Sequence, residues 1–168
     1  DVLVYASYSL GSKGGSFSAP AIYPVAGVPD LLPLDTLPNK AEKLHAFEMG
    51  VKTRFGPITL NAGAFYYDYR NYQAFLFEGL LQTIANRPAK LKGFEIEFSA
   101  KPTDRLEISL NSSFLDGTVK GVTLPNGDSA NRDMPMAPDF SGALAATYTV
   151  PMKDGDVSFQ IAANRSEE

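Results

Sequence analysis

ITLNAGAFYYDYRNYQ, residues 58–73, decides how the rest of the chain is read. Its first half alternates: Leu60, Ala62, Ala64 and Tyr66 share one face of an extended strand, and Thr59, Asn61 and Gly63 the other. Its second half gathers Tyr66, Tyr67, Tyr69 and Tyr72, which is half of the chain's 8 tyrosines. A soluble core would need a partner for each hydroxyl, and a catalytic site rarely needs four phenols. Rings that are apolar in body and polar at the tip collect where hydrocarbon meets water, at the rim of a membrane.

Composition narrows the alternatives. With 168 residues, 44% of them apolar and 20% charged, the chain is long enough for one ordinary domain, and wholesale disorder is not expected. The net charge of −4 gives no expectation of a basic patch for phosphates, so no nucleic-acid partner is expected. Without cysteine there is no disulfide framework, thiolate metal site or cysteine nucleophile. His45 is the only histidine, which excludes a multi-histidine metal site. No secretory signal is visible, and no apolar run reaches the ~18 residues that a spanning helix requires.

Period-two alternation recurs along the chain, while helical periodicity is weak. Phe94, Ile96, Phe98 and Ala100 oppose Glu95, Glu97 and Ser99; Leu106, Ile108, Leu110 and Phe114 oppose Glu107, Ser109, Asn111 and Ser113. Phe47, Met49, Val51 and Phe55 oppose Glu48, Lys52 and Arg54, and Phe140, Leu144, Tyr148 and Val150 oppose Ser141, Thr147 and Thr149. The pattern predicts seven strands, at 2–10, 44–55, 58–71, 89–101, 106–116, 139–150 and 157–165. The links between them alternate long and short: 11–43, 72–88 and 117–138 are long, whereas 56–57, 102–105 and 151–156 are tight. In an up-and-down sheet every other link lies at the same end, so the tight turns gather at one pole and the long loops at the other. Bacterial outer-membrane barrels show this asymmetry. The polar face suits a hydrated lumen in which Lys52 and Arg54 neutralise Glu95 and Glu97.

Alternation also describes a soluble half-buried sheet, so a soluble all-β binding module and a passive outer-membrane porin remain as rival readings. The expected fold class is all-β: an antiparallel, up-and-down transmembrane β-barrel segment of about seven strands from a larger barrel. An open seven-stranded sheet has two edges that lipid does not tolerate. Residues 1–168 are therefore expected to be part of a single outer-membrane β-barrel domain, truncated at both ends.

Five segments, taken in order, carry a family resemblance: VYASYSLGSKGGSF (4–17), LHAFEMGVKTRF (44–55), LNAGAFYYDYRNYQ (60–73), the hairpin 86–117, and RDMPMAPDFSGALAATY (132–148) with Pro135, Ala137 and Pro138. Each is weak alone; in sequence they resemble the barrel of TonB-dependent outer-membrane receptors. The resemblance implies a bacterial outer-membrane location and active uptake of a scarce external ligand. That ligand is often a ferric siderophore, and in some members cobalamin, haem or an oligosaccharide. It implies lipid, a plug domain and the TonB system as partners, although neither the family's plug nor its terminal aromatic strand is recognisable here.

Candidate ligand contacts fall at the long-loop end. Tyr66 reads as an aromatic-girdle residue, with Phe55, Phe98, Tyr148 and Phe159 as the opposite girdle. Tyr67, Tyr69 and Tyr72 point inward or toward the loops. The proline-rich 11–43 loop, with Pro20, Pro24, Pro29, Pro33 and Pro38, offers Phe17 and Tyr23 either as parts of a stiffened lid or as packing within a surface loop. Phe75 and Phe77 lie on an apolar stretch that either extends the wall as a hairpin turning near Glu78 or forms a ligand platform. Arg132 completes the candidate set. Asp116, Asp128, Asp133 and Asp139 match no recognised cation loop and read as turn residues. No catalytic residues, metal site or cofactor is expected, and no enzyme chemistry can be placed.

Overall fold

The computed structural model describes residues 1–17, 38–78, 81–124 and 127–167, with backbone alone at 76–78 and 81–83. Its strands are β1 (Val2–Lys13), β2 (Ser16–Phe17), β3 (Pro38–Asn39), β4 (Glu42–Phe55), β5 (Ile58–Glu78), β6 (Leu81–Thr103), β7 (Leu106–Thr123), β8 (Ser129–Asp133), β9 (Phe140–Met152) and β10 (Gly155–Glu167). The seven long ones form one antiparallel sheet in the order β1-β4-β5-β6-β7-β9-β10. Each therefore pairs with the long strand before and after it in the chain, which is the expected up-and-down meander. Strands β2 and β3 pair separately at the feet of the first long link, and β8 folds back on the upper end of β7.

Three strands run farther than expected. The long link 72–88 is made of the paired upper arms of β5 and β6, with Glu78 opposite Leu81, as the reading of its apolar part as a wall-extending hairpin expects. A register shift between Tyr69 and Tyr72 admits one irregular step, taken by Asn71 at φ 55°. Asparagine is among the few residues that tolerate this left-handed backbone. With 21, 23 and 18 residues, β5, β6 and β7 far exceed the ~9–11 that a tilted strand needs to cross a bilayer. Their surplus lies at the long-link end. At the other end the turns are tight: Phe55 pairs with Ile58, Thr103 with Leu106 and Met152 with Gly155. Thr103 Oγ1 fixes one of them by accepting from the Arg105 and Leu106 amides at 3.3 and 3.1 Å.

The register joins the apolar residues into a continuous outer band. Leu60, Phe98, Leu110 and Leu144 form one cross-strand row, and Val4, Val51, Ala62 and Ile96 another. An aromatic line borders the band on the long-link side. It runs Tyr8–Phe47–Tyr66 with ring centroids 4.9 and 6.4 Å apart. One residue pair lower, it continues as Phe94–Phe114–Phe140 at 4.5 and 4.9 Å. The step follows from strand tilt, because a row perpendicular to the strands runs oblique to the membrane plane. Near the tight turns, Phe55 is exposed and Tyr148 pairs with Phe159. Phe98 stands inside the band, between Leu60 and Leu110, rather than at its edge.

The opposite face is polar and shaped by glycine. Lys52, Asn61, Glu97 and Asn111 form one of its rows. The expected neutralisation of Glu95 and Glu97 by Lys52 and Arg54 is absent among the described residues, because β5 separates their strands. Asn61 Nδ2 instead donates to Glu97 Oε2 at 3.1 Å, and Lys52 Nζ sits 5.9 Å from the Tyr5 ring centroid. Two aromatic rings lie against glycines directly opposite them. A Cβ on Gly50 would fall 2.6 Å from the Tyr5 hydroxyl, and one on Gly93 would meet the Phe114 carbonyl oxygen and lie 2.9 Å from Phe65 Cζ. Such pairs let the ring cover the backbone that glycine leaves bare.

Among the described residues no large side chain is fully buried, and the buried apolar ones are Ala46, Ala74, Ala89, Ala100 and Val119. A soluble β-domain covers one face of its sheet with a second layer. Among the described residues no second layer covers the band, and Met49, Phe159 and Ile161 are 61%, 64% and 75% exposed.

Arg replacing Ile96 or Ile108 is expected to destabilise the complete barrel by about 2–4 kcal/mol, and Arg at Ser109 or Asn111 far less. Denaturant unfolding in lipid vesicles measures this, and equal costs on both faces would refute the inside-out assignment. Gly93→Val is expected to cost about 1–3 kcal/mol by overpacking against Phe65 and the Phe114 carbonyl. Loss of the heat-resistant folded band on unboiled gels would report it.

Candidate functional site

The upper part of the polar face is where the sequence concentrates recognition chemistry. Alternation along β5 places Phe65, Tyr67 and Tyr69 on that face, opposite Glu48, Ala46 and Leu44 of β4. Tyr67 donates its hydroxyl to Glu48 Oε1 at 2.6 Å, a short bond of the kind a charged acceptor produces. The Phe65 and Tyr67 rings lie 5.0 Å apart. Together with Tyr5, Leu91, Glu95 and Leu115 they border a shallow concavity of about 450 Å³.

Above it stands a second aromatic unit. Tyr69 and Tyr72 meet edge to face at 5.5 Å and pack on the small apolar cluster Ala74, Ala89 and Val119, flanked by Val122 and Met134. Burial raises both phenols above their ordinary range, and the Glu42 carboxylate pushes the same way. Both therefore remain protonated at neutral pH, as hydrogen-bond donors on neutral rings.

Sequence reasoning missed the device that holds this region together. Gln73, 3% exposed, donates from Nε2 to the Gly14 and Lys40 carbonyls at 2.8 and 3.3 Å, and its backbone amide donates to Glu42 Oε2 at 2.8 Å. Asn86 uses its amide as a surrogate peptide: Oδ1 accepts from the Lys40 amide at 2.6 Å, while Nδ2 donates to the Lys40 and Asn71 carbonyls at 3.2 and 2.8 Å. Asn71 Nδ2 reaches the Ala41 carbonyl at 3.3 Å. Both feet of the first long link are thus clasped to the β5–β6 hairpin. The polar residues inside the otherwise apolar 71–86 stretch were the available signal.

The candidate residues fare unequally. Tyr67, Tyr69 and Tyr72 are brought together. Phe17 on β2 and Phe75 on the hairpin are 76% and 59% exposed at the same pole. Arg132 is exposed on β8, opposite Val119. Tyr23 lies outside the described residues, and so does the side chain of Phe77, whose backbone pairs with Gln82. His45, on the outer face, shares a 2.9 Å hydrogen bond with Tyr8. No group of histidines and carboxylates that could hold a metal occurs among the described residues. Of the four aspartates, Asp116 pairs with Lys92 at 2.9 Å, and the Asp128 and Asp139 carbonyls accept from Leu124 and Leu115. Stacking faces, phenol donors and carboxylates suit recognition of a polar, partly aromatic molecule.

Comparison with solved structures gives the same architecture. The ferric yersiniabactin uptake receptor FyuA from Yersinia pestis aligns over 98% of this chain and 23% of its own, with TM-score 0.67 and 23% identity. The alcaligin outer-membrane receptor FauA from Bordetella pertussis aligns over 99% of this chain and 27% of its own, with TM-score 0.57 and 16% identity. The copper transporter OprC aligns over 97% and 28%, with TM-score 0.62 and 14% identity. The chain thus spans roughly a quarter of the length of each of these structures. No curated protein matches the sequence. The family model for TonB dependent receptor-like β-barrels matches residues 1–165. The up-and-down sheet and its apolar outer band agree with that match, and the chain belongs to the TonB-dependent receptor-like β-barrel family.

Proposed function

We propose that these strands are part of the wall of a bacterial outer-membrane receptor that takes up a scarce ligand, such as a ferric siderophore, with energy supplied through TonB. The observation that carries this reading is the inner rim of Phe65, Tyr67, Tyr69 and Tyr72 beside Glu48, set at the pole of the long links. A passive pore has no need of an ordered phenol cluster above its constriction. In this reading residues 1–168 belong to a single barrel domain that continues on both sides, and the strands β1 and β10 find further partners there. The long links face the exterior and the tight turns the periplasm. FyuA and FauA, which share the fold, are named as receptors for ferric yersiniabactin and alcaligin, and that lends support to a metal-chelate ligand; OprC, of the same fold, is named as a copper transporter.

Topology is checked by single cysteines, which the native chain lacks. In intact bacteria carrying the full-length receptor, cysteine at Asp128 or Arg132 is expected to react with a membrane-impermeant maleimide. Cysteine at Asp104 or Asp154 should stay unlabelled until the cells are opened, and the reverse pattern sinks the orientation.

Ligand class is checked by uptake of radioactive iron on hydroxamate and phenolate siderophores, with and without the gene and with and without a functional TonB. Uptake that requires both is the expected result; uptake that persists without TonB would replace the receptor with a passive channel. For a siderophore that is taken up, Tyr67→Ala is expected to weaken binding at least about fivefold, while the barrel keeps its heat-resistant mobility. Unchanged binding would remove Tyr67 from the site.

A further inference from the structure

The polar face is not uniform in charge. Three successive rows of it, those through Gly63, Phe65 and Tyr67 of β5, carry Glu48 and Glu95 and no lysine or arginine from β1 to β7. The two carboxylates come from β4 and β6, one on either side of β5. Neither forms an ion pair among the described residues.

The concavity of about 450 Å³ lies between them, and its walls are rings. A Cβ on Gly63 would stand 3.4 Å from the Tyr5 hydroxyl, so the Tyr5 phenol lies across the glycine and forms the floor. Phe65 and Tyr67, with rings 5.0 Å apart, form the upper wall. The Tyr67 hydroxyl holds Glu48 at 2.6 Å, and a neutral phenol orients this carboxylate without cancelling its charge. Lys52, one row lower, brings its ammonium to 5.9 Å from the Tyr5 ring centroid yet pairs with neither carboxylate among the described residues. A ring of this face thus already carries one cation on its lower side.

We propose that the concavity admits a cationic part of the ligand, an alkylammonium or guanidinium group, and selects against ligands that bring an anionic group there. Ring faces attract a cation through the electron-rich side of the aromatic system, and a carboxylate in the wall adds direct attraction. An anion meets the same two carboxylates and is repelled, with no cation in these rows to offset them. Glu48 sets the charge specificity, and Tyr67 positions it. This inference rests on the receptor reading proposed above and names part of its ligand chemistry.

The test uses the full-length receptor in neutral detergent micelles and radiolabelled benzyltrimethylammonium, with equilibrium dialysis measuring binding beyond that to empty micelles. Saturable binding is expected. Glu48→Gln, which keeps an acceptor for the Tyr67 hydroxyl, is expected to weaken it at least about fivefold, and Glu95→Gln is read in the same way. Asp116→Asn, on the outer face, is expected to bind as wild type, and heat-resistant mobility shows which variants are folded. Benzenesulfonate, an anion of similar size, is expected not to displace the probe. The proposal is overturned by any of four results: no saturable binding to the folded receptor, as when a basic side chain of an inner domain already fills the concavity; equal affinity in the folded glutamine variants; an equal loss in Asp116→Asn; or displacement by benzenesulfonate. TonB-dependent uptake that persists beside such a result leaves the receptor reading standing. Intact cation binding with uptake that needs no TonB overturns the transport reading alone.

Discussion

Everything in this structure depends on the lateral hydrogen-bond ladder. The sheet is one layer thick, so its strands gain almost nothing from an interior; each is held by its two neighbours and by whatever medium touches its faces. In hydrocarbon an unpaired peptide group has no water to turn to, and that penalty makes the ladder obligatory rather than merely favourable. The apolar row from Leu60 through Phe98 and Leu110 to Leu144 and the polar row from Lys52 through Asn61 to Glu97 are the two sides of one constraint. A ladder of this kind accepts any side chain that suits the medium it faces.

That permissiveness explains how the aromatic inner face is made. The wall fixes backbone positions, and side chains are then chosen for what they show inward. At Gly50 and Gly93 a ring from the neighbouring strand occupies the space a side chain would fill, so the inner face is aromatic without being crowded. Higher up, the wall leaves the membrane and Tyr69 and Tyr72 acquire a small support of Ala74, Ala89 and Val119. These are the only described residues gathered into an apolar cluster of soluble type. Along one strand the structure thus changes from an exposed apolar face to a self-packed one.

Much of the wall was legible in sequence because period-two alternation and loop parity are imposed by the bilayer on every strand alike. All seven long strands fall where alternation places them, and Tyr66 stands in the aromatic line as its neighbours Leu60, Ala62 and Ala64 imply. The parts that were not legible depend on tertiary pairing. The apolar run at 74–88 betrayed a wall-extending hairpin, but the register step between Tyr69 and Tyr72 shows only once β5 is paired with β6. Lys52 and Glu97 looked like partners because charge pairing was inferred without knowing that Asn61 would stand between them.

The amide clasp of Gln73 and Asn86 has a consequence for the link it holds. Both feet of the 18–37 stretch are gripped through backbone groups of Gly14, Lys40 and Ala41, so the grip is indifferent to the side chains carried between them. A grip of that kind fixes the two ends of the link and places no demand on the sequence that joins them.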